Sequence, residues 1–240
     1  MVEFGDNVSW TYVMGGLARD YTNTPDARAK RLAEWLDVAE RGGMPIDPRL
    51  WRDAAIGSSY PACMAVEAAK EQGEDAGGRY LRAVREGLMC FRRKLDTTEA
   101  LVEEARRAGL DVERFRIDLA SNATVEAFGN DLEETRSRAP GGHDRVPFPS
   151  VVFEGGPAAY EFRGHDELRS AALAAGAEPV SAPPVSVLDA LRRFGRMATV
   201  EVAAVCSLSG PRAPAELWRL ASEWQVRPVP VITGDLWEAA

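Results

Sequence analysis

Cys63 is the residue best placed to do chemistry in this sequence. It closes the run Ser58-Ser59-Tyr60-Pro61-Ala62-Cys63, just inside a predicted helix over Pro61–Gln72. A thiol near a helix N-terminus gains from the positive end of the dipole, which lowers its pKa and raises its thiolate fraction. The ordinary alternative is a small core residue on a face shared with Ala62, Ala65, Val66 and Ala69. Ser58 and Ser59 add two hydroxyls able to act as nucleophiles or to hold a small thiol. Cys90 and Cys206 fall on predicted helices and read as buried and inert. The three cysteines form no Cys-x-x-Cys and no metal-ligand spacing. His143, in a Gly-Gly-His loop, and His165, at the start of a predicted helix, are the only histidines, too few for a His-based metal site.

A second stretch carries backbone rather than side-chain chemistry. In Val146-Pro147-Phe148-Pro149-Ser150-Val151-Val152-Phe153-Glu154-Gly155-Gly156, Pro149 has no N–H to give a ladder and so belongs at the first position of a strand. Gly155-Gly156 makes the turn, and Tyr160-Glu161-Phe162 alternates as the second strand of a hairpin. A helix follows from His165, with Leu168, Ala171, Ala172 and Ala175 on one face and Gly176 beyond its end.

The remaining elements must position these two stretches. Val8–Met14 reads as a strand with Val8, Trp10, Tyr12 and Met14 on one face, ended by Gly15-Gly16. Thr24-Pro25 opens a helix that carries Leu32, Trp35, Leu36 and Ala39 and stops at Gly42-Gly43. Residues 44–59 read as a loop. Helices are then predicted over Pro61–Gln72, Arg79–Lys94 and Asp96–Ala108, followed by a short one through Val112, Phe115 and Leu119. Ser121 caps a longer helix with Val125, Phe128 and Leu132 inward. Helices with one apolar face must pack on each other, which makes residues 20–138 an all-helical block, with Arg138–Asp144 as the return. Val180–Pro184 reads as a linker. Helices over Val187–Phe194, Thr199–Cys206 and Pro214–Trp224, with a hairpin over Val226–Leu236 turning at Gly234, give the outline of a winged-helix module.

Phe148-Pro149-Ser150-Val151-Val152-Phe153 followed by Gly155-Gly156 resembles the cis-proline strand, hairpin and last helix of the DsbA-like branch of the thioredoxin superfamily, above all its FrnE-type cytoplasmic members. Trp10-Thr11-Tyr12-Val13-Met14-Gly15-Gly16-Leu17 is similar to that fold's second strand, and Ser58 to Cys63 to the opening of its inserted helical domain. The three motifs keep the family's order over residues 2 to 176. The resemblance implies an α/β (α+β) thioredoxin-like fold: residues 1–19 and 139–178 as an incomplete thioredoxin-like domain, 20–138 as a large all-helical insertion, and 185–240 as a small C-terminal helical, winged-helix-like subdomain. It also implies that Phe148, Pro149, Ser150, Tyr60 and Ser59 line a substrate groove bordered by the 44–59 loop. There a cis Pro149 turn faces the redox cysteine, and Phe148 offers its main chain to an extended substrate as an added strand.

The family's Cys-x-x-Cys precedes the segment matched by Trp10–Leu17. Here Met1-Val2-Glu3-Phe4-Gly5 looks like the end of the helix that carries it, so the first strand and the motif are expected to be missing and the chain N-terminally truncated. That strand is central to the fold, and each buried main-chain group it leaves unpaired costs about 1–3 kcal/mol. Three outcomes are open: a start site assigned too late, a strand supplied by a partner chain such as a second copy in a homodimer, or direct pairing of Val8–Met14 with Ser150–Phe153.

The leading functional expectation is a thiol–disulfide oxidoreductase-like protein for disulfide-containing or small-thiol substrates, inactive in disulfide exchange as this chain stands. One alternative is a small-thiol-binding transferase or isomerase of the kappa or chromene-carboxylate type, with glutathione or another small thiol as its ligand and no bound cofactor. The other is a non-catalytic thioredoxin-like binding or regulatory protein. The net charge of −8 disfavours nonspecific binding to nucleic acid or anionic lipid. In the tail, Arg192, Arg193, Arg196 and Arg212 are balanced by Asp189, Glu201, Glu216 and Glu223, which is no basic stripe. No apolar run approaches the ~18 residues of a membrane helix, and no signal-peptide pattern opens the chain. Sparse, odd-numbered cysteines fit a reducing compartment. The cytoplasm is therefore expected.

Overall fold

The computed structural model describes residues 2–161, 163–180 and 183–240. Helices fill the 20–138 stretch as predicted. The first, α1 (Pro25–Gly42), begins where the Thr24 side chain accepts a hydrogen bond from the Ala27 N–H and ends where Gly43 turns left-handed at φ +64°. The predicted loop after it holds one short helix, α2 (Leu50–Asp53), because Leu50 and Trp51 are both buried there. Next come α3 (Tyr60–Lys70), α4 (Glu74–Met89), α5 (Thr98–Arg107), α6 (Val112–Leu119) and α7 (Asn122–Ser137). Thr97, Asp111 and Ser121 supply side-chain oxygens to the first N–H groups of α5, α6 and α7.

These helices enclose one core, and α3 is its axis. Ala65, Ala68 and Ala69 are fully buried, and their small side chains let Tyr80, Val84, Leu101, Phe115 and Phe128 close around the helix. Two expectations are corrected. The predicted helix at Arg79 starts five residues earlier, at Glu74, where Gly73 breaks the chain at φ +109°. On α7 Val125 does not point inward and is 57 % exposed. The inward neighbour is Thr124, whose hydroxyl donates to the Asp118 carbonyl at 2.7 Å.

Val8–Met14 forms no strand. Burial still alternates along it, with Met14 inside, but among the described residues no strand pairs with it, residues 150–153 included. Side chains from the helices take the place of a neighbouring strand. Lys70 Nζ donates to the Tyr12 carbonyl at 2.6 Å, and Asp131 Oδ2 accepts from the Met14 N–H at 2.5 Å. Residues 2–7 form turns and one 3-10 turn (Gly5–Asn7) rather than the end of an α-helix, and Met1 lies outside the described residues. The hairpin is β1 (Val151–Val152) with β2 (Ala158–Ala159), in register Val151–Ala159. The second strand therefore comes earlier than Tyr160–Phe162, since Gly155 at φ +68° closes the turn and Glu161 leaves extended geometry at φ +63°; Phe162 lies outside the described residues. Next is α8 (His165–Ala174), with Gly176 just beyond it.

Of the linker, Ser181 and Ala182 lie outside the described residues. The tail runs α9 (Val187–Phe194), β3 (Met197–Ala198), α10 (Thr199–Val205), α11 (Arg212–Ser222), β4 (Val226–Val231) and β5 (Gly234–Ala239). Its sheet order is β3-β5-β4. Pro228 and Pro230 are tolerated in β4 because that strand is an edge. The hairpin turns at Ile232-Thr233, so Gly234 opens β5 instead of forming the turn. Trp224 lies past the end of α11 at φ +59° and is 86 % exposed, outside the apolar stripe predicted for it. A second core joins Leu191, Met197, Val202, Leu217, Leu220 and Trp237.

Two groups of hydrogen bonds, among other contacts, help seat this tail on the helices. Arg82 of α4 reaches Glu201 at 2.8 Å and the Arg196 carbonyl at 3.0 Å, while Arg196 reaches Glu86 at 3.0 Å and Glu238 at 2.9 Å. At the hairpin tip the Thr233 hydroxyl accepts from the Ile46 N–H at 2.7 Å and donates to the Ile46 carbonyl at 3.2 Å.

Candidate functional site

The Phe148–Pro149 peptide is cis. The Ser150 hydroxyl turns back to donate to the Pro147 carbonyl at 2.5 Å and accepts from the Glu161 N–H at 3.4 Å. The Phe148 ring, 36 % exposed, lies on Gly15 so closely that a Cβ there would overlap it. Gly16, left-handed at φ +58°, is held as tightly: a Cβ would come within 2.7 Å of Tyr60 Cε1 and 3.1 Å of Phe128 Cζ. Tyr60 in turn meets Phe128 edge to face, with ring centroids 5.0 Å apart. The cis turn, the end of the 8–16 segment and the start of α3 therefore meet at one place.

Arg145 ties these parts together. Its guanidinium lies 5.3 Å from the centre of the Phe148 ring. It donates to the Gly16 carbonyl and, at 3.0 Å, to that of Leu17. A cleft of about 340 Å³ opens between Leu17 and residues 143–148. Leu17, Phe148 and Val152 leave exposed apolar surface beside it.

The predicted nucleophiles are differently employed. Cys63 is partly buried in the α3 face, and burial pushes its thiol up to about 11, against a weaker backbone hydrogen bond from Gly16 that favours the thiolate. Asp131 and Glu67 raise it further. The helix-dipole expectation thus loses to desolvation. The Ser59 hydroxyl accepts from the Ala18 N–H at 2.9 Å and donates to the Ala18 carbonyl at 3.0 Å. Ser58 accepts from the Tyr60 N–H at 3.1 Å. Both serines staple Ala18 and the start of α3 to each other. Cys90 donates to the Pro45 carbonyl at 3.2 Å and burial lifts its thiol to about 11; Cys206 is buried and also raised. His143 lines the cleft, whereas His165 sits on the surface within 3.4 Å of Glu3. No group of three or more metal-ligating side chains is found among the described residues.

Sequence reasoning missed Arg145, Lys70, Glu67 and Asp131. Nothing in the local pattern marks them; the paired Gly15-Gly16, read only as the end of a strand, is the one local signal that a close approach occurs here.

The family model described as Thioredoxin matches residues 1–139. The chain belongs to the thioredoxin family. Among solved structures, this thioredoxin-family chain is similar to one from Nitrosomonas europaea assigned as a protein disulfide isomerase, with a TM-score of 0.54 and 18 % identity, covering 61 % of this chain and 72 % of that one. That likeness concerns the fold. The chain is also 29 % identical to the ClpXP adapter protein SpxH of Halalkalibacterium halodurans, over 98 % of this chain and 80 % of the relative. It is 29 % identical to SpxH of Bacillus subtilis over 87 % and 71 % of the two chains. No helix is long and apolar enough to cross a membrane among the described residues.

Proposed function

We propose that this chain is a cytoplasmic adapter on a thioredoxin scaffold, which holds an extended segment of a client protein against the Phe148–Pro149 turn and delivers it to ClpXP. In this reading Phe148, Pro149 and Ser150, with Tyr60 behind them, form the docking wall, and Ser59 keeps the α3 end of the groove in place. Residues 1–19 and 139–178 make the thioredoxin-like part, 20–138 the helical insertion and 185–240 the winged-helix-like subdomain.

The observation that carries the proposal is the likeness, along 98 % of the chain, to a protein named as a ClpXP adapter. The chemistry of the groove agrees with it. A disulfide exchanger needs an exposed thiolate, and the thiol nearest the cis turn is shielded and raised to about 11. An adapter needs an apolar wall and free main-chain edges instead.

The test uses purified chain, ATP and ClpXP with an inactivated peptidase. Client proteins should enter the inactive chamber only when this chain is present, and Phe148→Asp should abolish their entry. Cysteine-dependent insulin reduction by the same 240-residue chain would overturn the proposal in favour of an oxidoreductase.

A further inference from the structure

Among the described residues the segment that carries Gly15 and Gly16 has no strand beside it, and a partly buried acid–base cluster holds it in place. Glu67 and Lys70 come from α3 and Asp131 from α7. Lys70 Nζ lies 2.7 Å from Glu67 Oε1 and 2.6 Å from the Tyr12 carbonyl. Asp131 Oδ2 accepts the Met14 N–H at 2.5 Å, and Asp131 lies close enough to Glu67 to raise its pKa. Glu67 is 7 % exposed, and the Lys70 side chain 14 %. Cys63, on the same face of α3, interacts electrostatically with both carboxyls. From α4, Arg85 stacks its guanidinium 5.9 Å from the Tyr12 ring centre.

Two carboxyl groups beside a single ammonium, with Glu67 only 7 % exposed, do not both ionise without cost. A proton on Glu67 lets that carboxyl donate to Asp131 while Asp131 Oδ2 accepts the Met14 N–H. Losing that proton removes the donor and adds a negative charge beside Asp131. Among the described residues Lys70 is bonded to Glu67 and to the Tyr12 carbonyl, so Asp131 is the member that swings away, and Met14 loses its acceptor. We propose that the Glu67–Asp131 pair is a proton-dependent clamp on residues 12–16, closing the cis-proline groove when protonated and loosening it as the pH rises. Burial is the largest influence on Glu67 and raises its pKa, outweighing the hydrogen bond to Lys70. A carboxyl whose folded pKa lies above its ordinary 4.5 contributes stability that is complete below 4.5 and is lost as the pH climbs through the raised value.

The role of the clamp in docking rests on the adapter reading, but the clamp itself is tested on the free protein. Amide exchange of Met14, corrected for intrinsic rate, should show protection falling by up to about tenfold per pH unit across that window. Glu67→Gln, neutral at every pH, should give a flat profile. Asp131→Ala, which removes the acceptor, should expose Met14 at all pH values, while the Val146 N–H, which donates to the Thr135 carbonyl on the same helix at 2.8 Å, stays protected. A carbon-13 titration of the Glu67 carboxyl in the unmutated protein needs no variant and should give a midpoint above the ordinary carboxylate value. A flat wild-type profile, an ordinary Glu67 midpoint, or an unchanged slope in Glu67→Gln would overturn the clamp. If exchange behaves as described but Glu67→Gln delivers clients to ClpXP with the wild-type pH dependence, the clamp stands and its role in docking falls.

Discussion

The Phe148 ring occupies the space that a side chain at Gly15 would fill. Gly15 is not in the left-handed region, so its requirement is purely steric. Gly15→Ala should therefore displace the ring. Phe148 is partly exposed and has solvent to move into, so the stability cost should sit near the lower end of the about 1–3 kcal/mol typical of over-packing. The loss should appear instead in the ring's contact with Arg145 and in the groove. Denaturant unfolding of Gly15→Ala, Phe148→Ala and the double variant checks this: the double variant should be more stable than the sum of the single effects predicts, because the three atoms the added methyl would meet most closely all belong to the ring.

The thiols should be sluggish. Raising Cys63 from 9.0 to about 11 lowers its thiolate fraction about a hundredfold at neutral pH, since each pKa unit is a factor of ten. Alkylation of Cys63 by iodoacetamide in the folded protein should be slower than that of a free cysteine by at least that factor. The rate should keep rising past pH 9 and recover on unfolding. Cys63→Ala should leave client delivery intact, which separates a packing role from a nucleophilic one.

Much of the helical framework was legible in the sequence because its signals are local. Thr24-Pro25 and Ser121 cap the helices they were expected to cap, whereas α5, expected to start at Asp96, is capped by Thr97; most apolar stripes face the cores, with Leu36, Val125 and Trp224 as exceptions. The cis-proline turn and the convergence of Phe148 with Tyr60 were legible through family likeness. What failed depends on partners distant in sequence. Val8–Met14 has strand periodicity, yet a strand exists only beside another, and here Lys70 and Asp131 satisfy its backbone instead. Of the two readings of Cys63, a thiol activated by its helix end and a small core residue on the α3 face, the structure carries the second, with burial raising the thiol. Charged residues at 67, 70 and 131 look like ordinary helix-surface residues until the fold brings them under residues 12–16.

The tail should not bind duplex DNA through its hairpin. In a winged-helix module the hairpin tip must be free to follow a backbone, but Thr233 is bonded to both main-chain groups of Ile46. On α11, Arg219 is paired with Glu216 and Glu223. Fluorescence anisotropy with a labelled duplex should show no salt-dependent binding. Binding that weakens linearly on a log–log salt plot would show that the tail leaves its seat.

That seat has two independent halves of different physics, and salt should tell them apart. Arg82→Ala removes the bonds to Glu86, Glu201 and the Arg196 carbonyl. Arg82 is about a third exposed, so the cost should fall below that of a fully buried pair, at about 1–3 kcal/mol. Thr233→Val leaves the N–H of Ile46, a residue 1 % exposed, without its acceptor and should cost a similar about 1–3 kcal/mol. At about 1 M salt, where the Debye length is about 3 Å, the Arg82 effect should shrink while the Thr233 effect holds. Susceptibility of the whole chain to limited proteolysis should follow the same order, fastest in the double variant. Equal salt sensitivity of the two single variants would mean that the halves open together as one cooperative contact.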